Sequence, residues 1–406
     1  MKTLFHDACV ISPDVELEGA SVLVEDGLIR RICLCGEELP AADRVVEVQG
    51  DMLVPGFIDI HTHGCCGQDF SHGSREAIRT IAENKLAEGI TTLLPSTSTQ
   101  SEETLARALR SAAEYVKSEN RGAKLPGVHL EGVFINPHCL GAQNPSYLRD
   151  PDIEEVLRLN RIFPVRKVSY AVEMPGAIPF TADLLEHGIV PSCVHSAATF
   201  AQFTGAYEHG MRNLSHFCNQ MTPLKHREVG LVGAGFLYED VYLELICDTL
   251  HVCPDMINLI FQIKNIDRIM LITDSVEASG MAEGEYTLAG LPIVLKDGAV
   301  RLKDQPETLT DRLVYDADKL DSIGAVGVGR AFHFAGRVGA RLHNPAEEAL
   351  TGSEYGREDS AYREYLVKLR HVPERMLTSA GRAAAEERAA FMHEFFRRLC
   401  EESGVK

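Results

Sequence analysis

Between residue 53 and about residue 300, eight short β-type runs alternate with helix-sized spacers, and this alternation constrains the fold more than any other feature. The runs are Met52–Ile60, Ile90–Leu94, Gly127–Phe134, Val168–Val172, Ile189–Val194, Arg212–Phe217, Tyr242–Cys247 and Arg268–Thr273. The spacers carry helix signals. Ser74 is placed to cap a helix with Ile78, Ile81 and Leu86, stopped near Gly89, and Ser101 to cap one with Leu105, Leu109 and Ala112 on a single face. Strand–helix alternation calls for a parallel sheet, and eight units call for closure into a (β/α)8 TIM barrel, which needs roughly 250 residues.

The flanks read differently. Residues 1–52 hold β-rich runs, Ser21–Glu25 and Arg44–Val48, with turns at Glu25-Asp26-Gly27 and Gln49-Gly50-Asp51. They predict a small N-terminal β-sandwich domain that is incomplete. Residues 53–305 form the barrel, and residues 306–406 an all-α tail with helical patterns at Asp316–Phe334, Asp359–Leu369 and Arg375–Glu402. The last pattern places Ala384, Phe391, Phe395 and Leu399 on one stripe. The expected class is α/β, a metal-dependent barrel between a β domain and a helical tail.

Several strand runs end in residues that bind metals. His61 and His63, spaced i, i+2 at the end of the first run, point to the same side of a strand. Glu131 stands in the third run two residues after His129 and before Gly132, His216 lies near the end of the sixth, and His195 and Asp274 directly follow the fifth and the eighth. Active sites of such barrels sit where the strands end. A carboxylate after a buried apolar run is costly unless a cation, a water or a helix terminus meets it. Glu131, His195 and His216 suit zinc or a similar ion with one position left for water, and Asp274 suits the proton transfer of metal-assisted hydrolysis.

Charge narrows the partners. Lys plus Arg number 40 against 59 Asp plus Glu, a net charge of −19, which disfavours a nucleic-acid or anionic-membrane surface and leaves an anionic substrate in need of a local cation. No apolar stretch approaches the ~20 residues a membrane span needs, and Met1–Val10, broken by His6 and Asp7, does not read as a signal peptide. The 11 cysteines show no CxxC pair and no regular framework, as expected of reduced thiols in a cytoplasmic protein.

At the level of motifs, the chain over about residues 1–304 resembles the N-acetylglucosamine-6-phosphate deacetylase family of the amidohydrolase superfamily. The segments that carry the likeness are Pro55–Gly64, His129-Leu130-Glu131-Gly132, Val194–Thr199, Leu214–Met221, Asp248–Val252 and Thr273–Gly280. The resemblance implies hydrolysis of the acetamide of a phosphorylated amino sugar, with one or two divalent ions, zinc or iron, per subunit. It implies metal ligation by Glu131, His195 and His216, a second metal position at His61 and His63, and Asp274 as catalytic acid/base. It implies substrate contacts from Gln143, Asn219, Gln220 and His251, and from Arg227 to the phosphate held by a neighbouring subunit, hence a homodimer. Val133 stands where the family usually has proline, and Gln143 where many members have histidine. The likeness fades after Asp304. Beyond it, Leu313–Asp321, Tyr355–Glu358 and Phe391–Phe396 resemble the C-terminal half of an HD-domain phosphohydrolase, in which Asp316 or Asp318 would be a single leftover metal ligand. Two other readings stay open, a cyclic-amide hydrolase or deaminase of the same superfamily, and an inactive fusion of two truncated enzymes.

Overall fold

The computed structural model describes residues 1–118, 121–288, 290–303, 309–341, 343–351 and 356–404. It divides into two compact units, Met1–Lys303 and Asp304–Lys406.

The N-terminal residues form one five-stranded sheet in the order Leu28–Cys33, Val15–Glu25, Lys2–Ser12, Arg44–Glu47, with Met52–Leu53 also pairing to Lys2–Ser12. The second hairpin, Val15–Glu25 to Leu28–Cys33, turns at Asp26 and Gly27, both at positive φ (50° and 80°), the geometry that matches the twist of antiparallel strands. Ala8, Val10, Ala20 and Val22 pack its small core. The expected sandwich is thus a single layer, because all strands before residue 54 join one sheet. Apolar side chains stay exposed on it, Ile29 at 68% and Met52 at 71%.

The central element is a curled parallel sheet. Its strands are β1 (Phe57–Thr62), β2 (Ile90–Pro95), β3 (Val128–Glu131), β4 (Val165–Tyr170), β5 (Val190–Cys193), β6 (Asn213–Leu214), β7 (Tyr242–Leu245) and β8 (Ile269–Leu271). β1 pairs with β2, and β3 through β8 pair in sequence order, all in parallel. A bridge between Ser96 and His129 links the two sets. Past the end of β8, the Asp274 N–H donates to the His61 carbonyl (2.9 Å) and the His63 N–H to the Ser275 carbonyl (2.8 Å). The first and last strands therefore meet at their C-terminal ends, where the metal-type side chains lie.

Helices on the outside bury the apolar faces of these strands. Ser74 and Ser101 cap Arg75–Ala87 and Glu102–Lys117, their hydroxyls accepting from Ala77 N–H and Thr104 N–H. Ile78, Ile81, Leu105, Leu109 and Ala112 are buried as their spacing requires. Leu86 is not, and Lys85 beside it is, with its ammonium reaching Glu88 at 2.8 Å. Gly284–Leu288, Leu291–Lys296 and Ala299–Leu302 form an antiparallel meander that the alternation of apolar runs did not reveal.

The regular structure among the described residues of the second unit is all helical, with α-helices at Leu309–Asp321, Gly324–Arg337, Ala346–Thr351, Ala361–Val367 and Ser379–Ser403. Ala385, Met392 and Phe396 of the long helix join Tyr365, Leu366 and Leu369 in its core. The buried stripe lies one position away from the Ala384–Phe391–Phe395 reading, which leaves Phe391 half exposed (50%). Asp316 is buried and its carboxylate accepts from Leu377 N–H (2.8 Å), Thr378 N–H (2.9 Å) and the Thr378 hydroxyl (2.6 Å). Asp318 is exposed beside Lys319. Tyr355 of the HD-like pattern lies outside the described residues. No described helix is long and apolar enough to cross a membrane.

Candidate metal centre

Six metal-type side chains converge at the mouth of the curled sheet. His61 belongs to β1, His63 follows it, and Glu131 is the last residue of β3. His195, His216 and Asp274 stand in the loops just beyond β5, β6 and β8. Among the described residues, His61, His63 and Asp274 form one group of potential ligands and Glu131, His195 and His216 a second, the donor atoms within each lying inside 4.8 Å of one another. The Glu131 carboxylate joins them. Its Oε1 is 3.0 Å from His61 Nε2 and 3.5 Å from His216 Nε2, and its Oε2 is 3.1 Å from His63 Nε2. Asp274 Oδ1 lies 3.4 Å from His61 Nε2 and 3.3 Å from His63 Nε2.

The backbone takes an unusual path to achieve this. His195, His216 and Asp274 all have positive φ (43°, 31° and 46°), a region that costs a non-glycine residue about 1–3 kcal/mol. Each sits where the chain swings sharply off a strand end, so the side chain turns inward.

The histidine tautomers follow from their outer partners. His195 Nδ1 is 2.6 Å from the Cys139 carbonyl and His216 Nδ1 is 3.1 Å from the Asn219 carbonyl. A carbonyl only accepts, so each Nδ1 carries the proton and each neutral Nε2 turns a lone pair toward the centre. His61 Nε2 and Glu131 Oε1 are buried, and neither makes a hydrogen bond despite their proximity. Buried donor and acceptor atoms left unmatched around one point fit a divalent cation.

Charge in the centre is tightly balanced. Burial alone would depress the His61 imidazolium, but Glu131 and Asp274 outweigh it and push it up to about 9. His63 is likewise raised by Asp274 and Glu131 against its burial. The Asp274 carboxyl, which burial would raise, is held at about 2 by His61 and His63. Burial, with His216 alongside, drops His195 to about 4. Without a cation, protons on His61 and His63 stand in for its charge.

An amidohydrolase-family model matches residues 52–188. N-acetylglucosamine-6-phosphate deacetylase of Lysinibacillus sphaericus is 30% identical over 75% of this chain and 79% of its own length. N-acetylgalactosamine-6-phosphate deacetylase of Escherichia coli O157:H7 is 34% identical over 70% and 74%. The chain belongs to the amidohydrolase family. A solved structure of the Mycobacterium smegmatis N-acetyl-D-glucosamine-6-phosphate deacetylase, a D267A mutant in complex with N-acetyl-D-glucosamine-6-phosphate, superposes with a TM-score of 0.69 at 30% identity, covering 75% of this amidohydrolase and 78% of that chain.

Of the residues expected to touch substrate, Gln143, Asn219 and Gln220 adjoin the ligand groups of this amidohydrolase, while His251 and Arg227 are exposed. Gln143 is buried, and its amide is engaged. Nε2 donates to Glu131 Oε2 (2.9 Å), while Oε1 accepts from Thr99 N–H (2.8 Å) and the Thr99 hydroxyl (2.7 Å). Asn219 and Gln220 lie in the loop after β6. The Asn219 carbonyl holds His216, its side-chain Nδ2 is buried without a partner, and Gln220 is exposed with its carbonyl accepting from Ser196 N–H (3.0 Å). His251 is exposed and paired with Asp248 at 2.6 Å. Arg227 is exposed, with no ion pair among the described residues. Sequence reasoning missed Glu244 and Lys167, a buried ion pair beneath the centre. Their signal was a charge inside an apolar strand run, at the inward register of β7 and of β4.

Proposed function

We propose that this amidohydrolase hydrolyses the acetamide of N-acetylglucosamine 6-phosphate to glucosamine 6-phosphate and acetate. The supporting observation is that Glu131, grouped with His195 and His216, also lies 3.0 and 3.1 Å from His61 and His63, the two histidines that Asp274 Oδ1 meets at 3.4 and 3.3 Å. Glu131, His195 and His216 would hold one divalent cation, zinc or iron, and His61 and His63 would offer a second position beside Asp274. A cation bound there polarises the acetyl carbonyl and lowers the pKa of a water from 15.7 toward about 7. Asp274, ionised and 24% exposed, accepts the proton of the attacking water and delivers it to the sugar nitrogen as the C–N bond breaks. Asn219, Gln220 and His251 contact the sugar phosphate. Arg227 reaches the phosphate held by a second subunit of a homodimer, because a planar guanidinium suits phosphate and the chain is otherwise acidic.

The reading includes a (β/α)8 barrel over residues 53–305, an incomplete β domain over residues 1–52, a cytoplasmic location, and a helical tail over residues 306–406 that resembles half of an HD-domain phosphohydrolase and carries no activity. Both groups of metal-type ligands among the described residues lie before Lys303, which supports an inert tail. The Escherichia coli relative favours a second substrate, N-acetylgalactosamine 6-phosphate, which differs only at the 4-hydroxyl. Acetate release from the two phosphorylated sugars, measured together with metal content, tests the proposal. Release from the gluco sugar at the higher kcat/KM supports it, preference for the galacto sugar replaces it with the second reading, and release from neither by metal-loaded protein removes it.

A further inference from the structure

Beneath the candidate metal centre lies a second layer of charge that the reaction does not use. Glu244 on β7 and Lys167 on β4 are both buried, and the Lys167 ammonium donates to Glu244 Oε1. Asn213 Nδ2 donates to the same oxygen at 3.2 Å. The other oxygen, Oε2, is 3.2 Å from His61 Nδ1. An ion pair in a barrel interior is rarely kept for stability, since well-packed apolar side chains of similar size do as well or better. An apolar pair cannot receive the N–H of His61.

We propose that Glu244 is a positioning residue for the cation site of His61, His63 and Asp274, an inference that rests on the metal-dependent reading above. An ionised carboxylate only accepts, so in the neutral imidazole the proton belongs on Nδ1 and the lone pair on Nε2. That Nε2 is the buried atom without a hydrogen bond, 3.0 Å from Glu131 Oε1 and 3.4 Å from Asp274 Oδ1. His195 and His216 take neutral backbone carbonyls as their outer partners. His61 takes a full negative charge, which makes it the more basic donor. Lys167 and Asn213 hold the carboxylate in place. Through His61, Glu244 therefore acts most directly on the position formed with His63 and Asp274.

Metal content per chain and metal affinity, measured in metal-buffered solution, test this with two variants, Glu244→Gln and the double variant Lys167→Met/Glu244→Leu. The glutamine keeps an acceptor for His61 and loses the charge. The double variant removes acceptor and charge without stranding the lysine. Wild type is expected to bind two cations, and the double variant to keep one tightly while the other weakens by about 10–100-fold. E244Q should fall between them. Circular dichroism reports whether each variant folds, and E244Q alone carries the test if the double variant does not. Two cations bound with wild-type affinity in the folded variants, or equal weakening of both cations, overturns the inference. A wild-type protein that binds one cation or none overturns the two-position reading, and this inference with it.

Discussion

Gln143 donates its side-chain amide to Glu131 Oε2 at 2.9 Å while its own oxygen receives both the N–H and the hydroxyl of Thr99. Every polar atom of that side chain has a protein partner, so Gln143 acts on the carboxylate that stands with His195 and His216 and against His61 and His63. Gln143→Ala is expected to lower metal affinity by about 10–100-fold and to reduce kcat more than it raises KM. Metal analysis beside steady-state kinetics checks this, and an effect confined to KM would return Gln143 to the role of a sugar contact.

Glu131 and Asp274 should separate in their effects. Glu131→Gln removes the carboxylate of one group that also lies against His61 and His63 of the other, and is expected to abolish tight metal binding and activity together. Asp274→Asn keeps the Glu131, His195 and His216 group intact, so it should retain a cation while kcat falls by about 10²–10⁴-fold. Metal content of the two variants, measured on the samples used for acetate release, distinguishes these outcomes.

The metal-free protein should respond to pH through His61. Its folded-state pKa, near 9, lies above the ordinary 6.5, so its protonation contributes stability that is fully present below about pH 6.5 and is lost as pH rises through 9. The Tm of metal-free protein is expected to fall across that window, and the fall should shrink when a cation replaces the protons. Metal binding should tighten with rising pH and release protons, which calorimetry in buffers of different ionisation enthalpy measures directly.

Thr378 opens the longest helix, its hydroxyl accepting from Gly381 N–H at 2.9 Å and donating to Asp316 at 2.6 Å. Thr378→Ala should destabilise the helical unit by about 0.5–2 kcal/mol and leave metal content unchanged. Hydrogen exchange along Ser379–Ser403 reads the effect.

The strand ends were legible because each apolar run stops at a residue whose burial needs a partner, and His61, His63, Glu131, His195, His216 and Asp274 carry that need in their side-chain chemistry. Glu244 left only a faint signal, one charge inside an apolar run. Its partners Lys167 and His61 lie 77 and 183 residues away, and in one dimension a charge within Tyr242–Leu245 looks like an outward-facing strand residue. Gln143 carried a family expectation, and only the folded loop shows its amide turned to Glu131. The positive φ of His195, His216 and Asp274 has no sequence signature, since glycine occupies none of these positions. Leu86 and Phe391 were misplaced for a simpler reason. With 3.6 residues per turn, neighbouring apolar positions both sit near the buried stripe, and packing decides which one is covered.

Anomalous scattering from crystals grown with zinc tests the central claim most directly. The account predicts one peak bonded to Glu131, His195 and His216 and a second beside His61, His63 and Asp274. Zinc-soaked crystals with no anomalous peak in contact with Glu131 would contradict it.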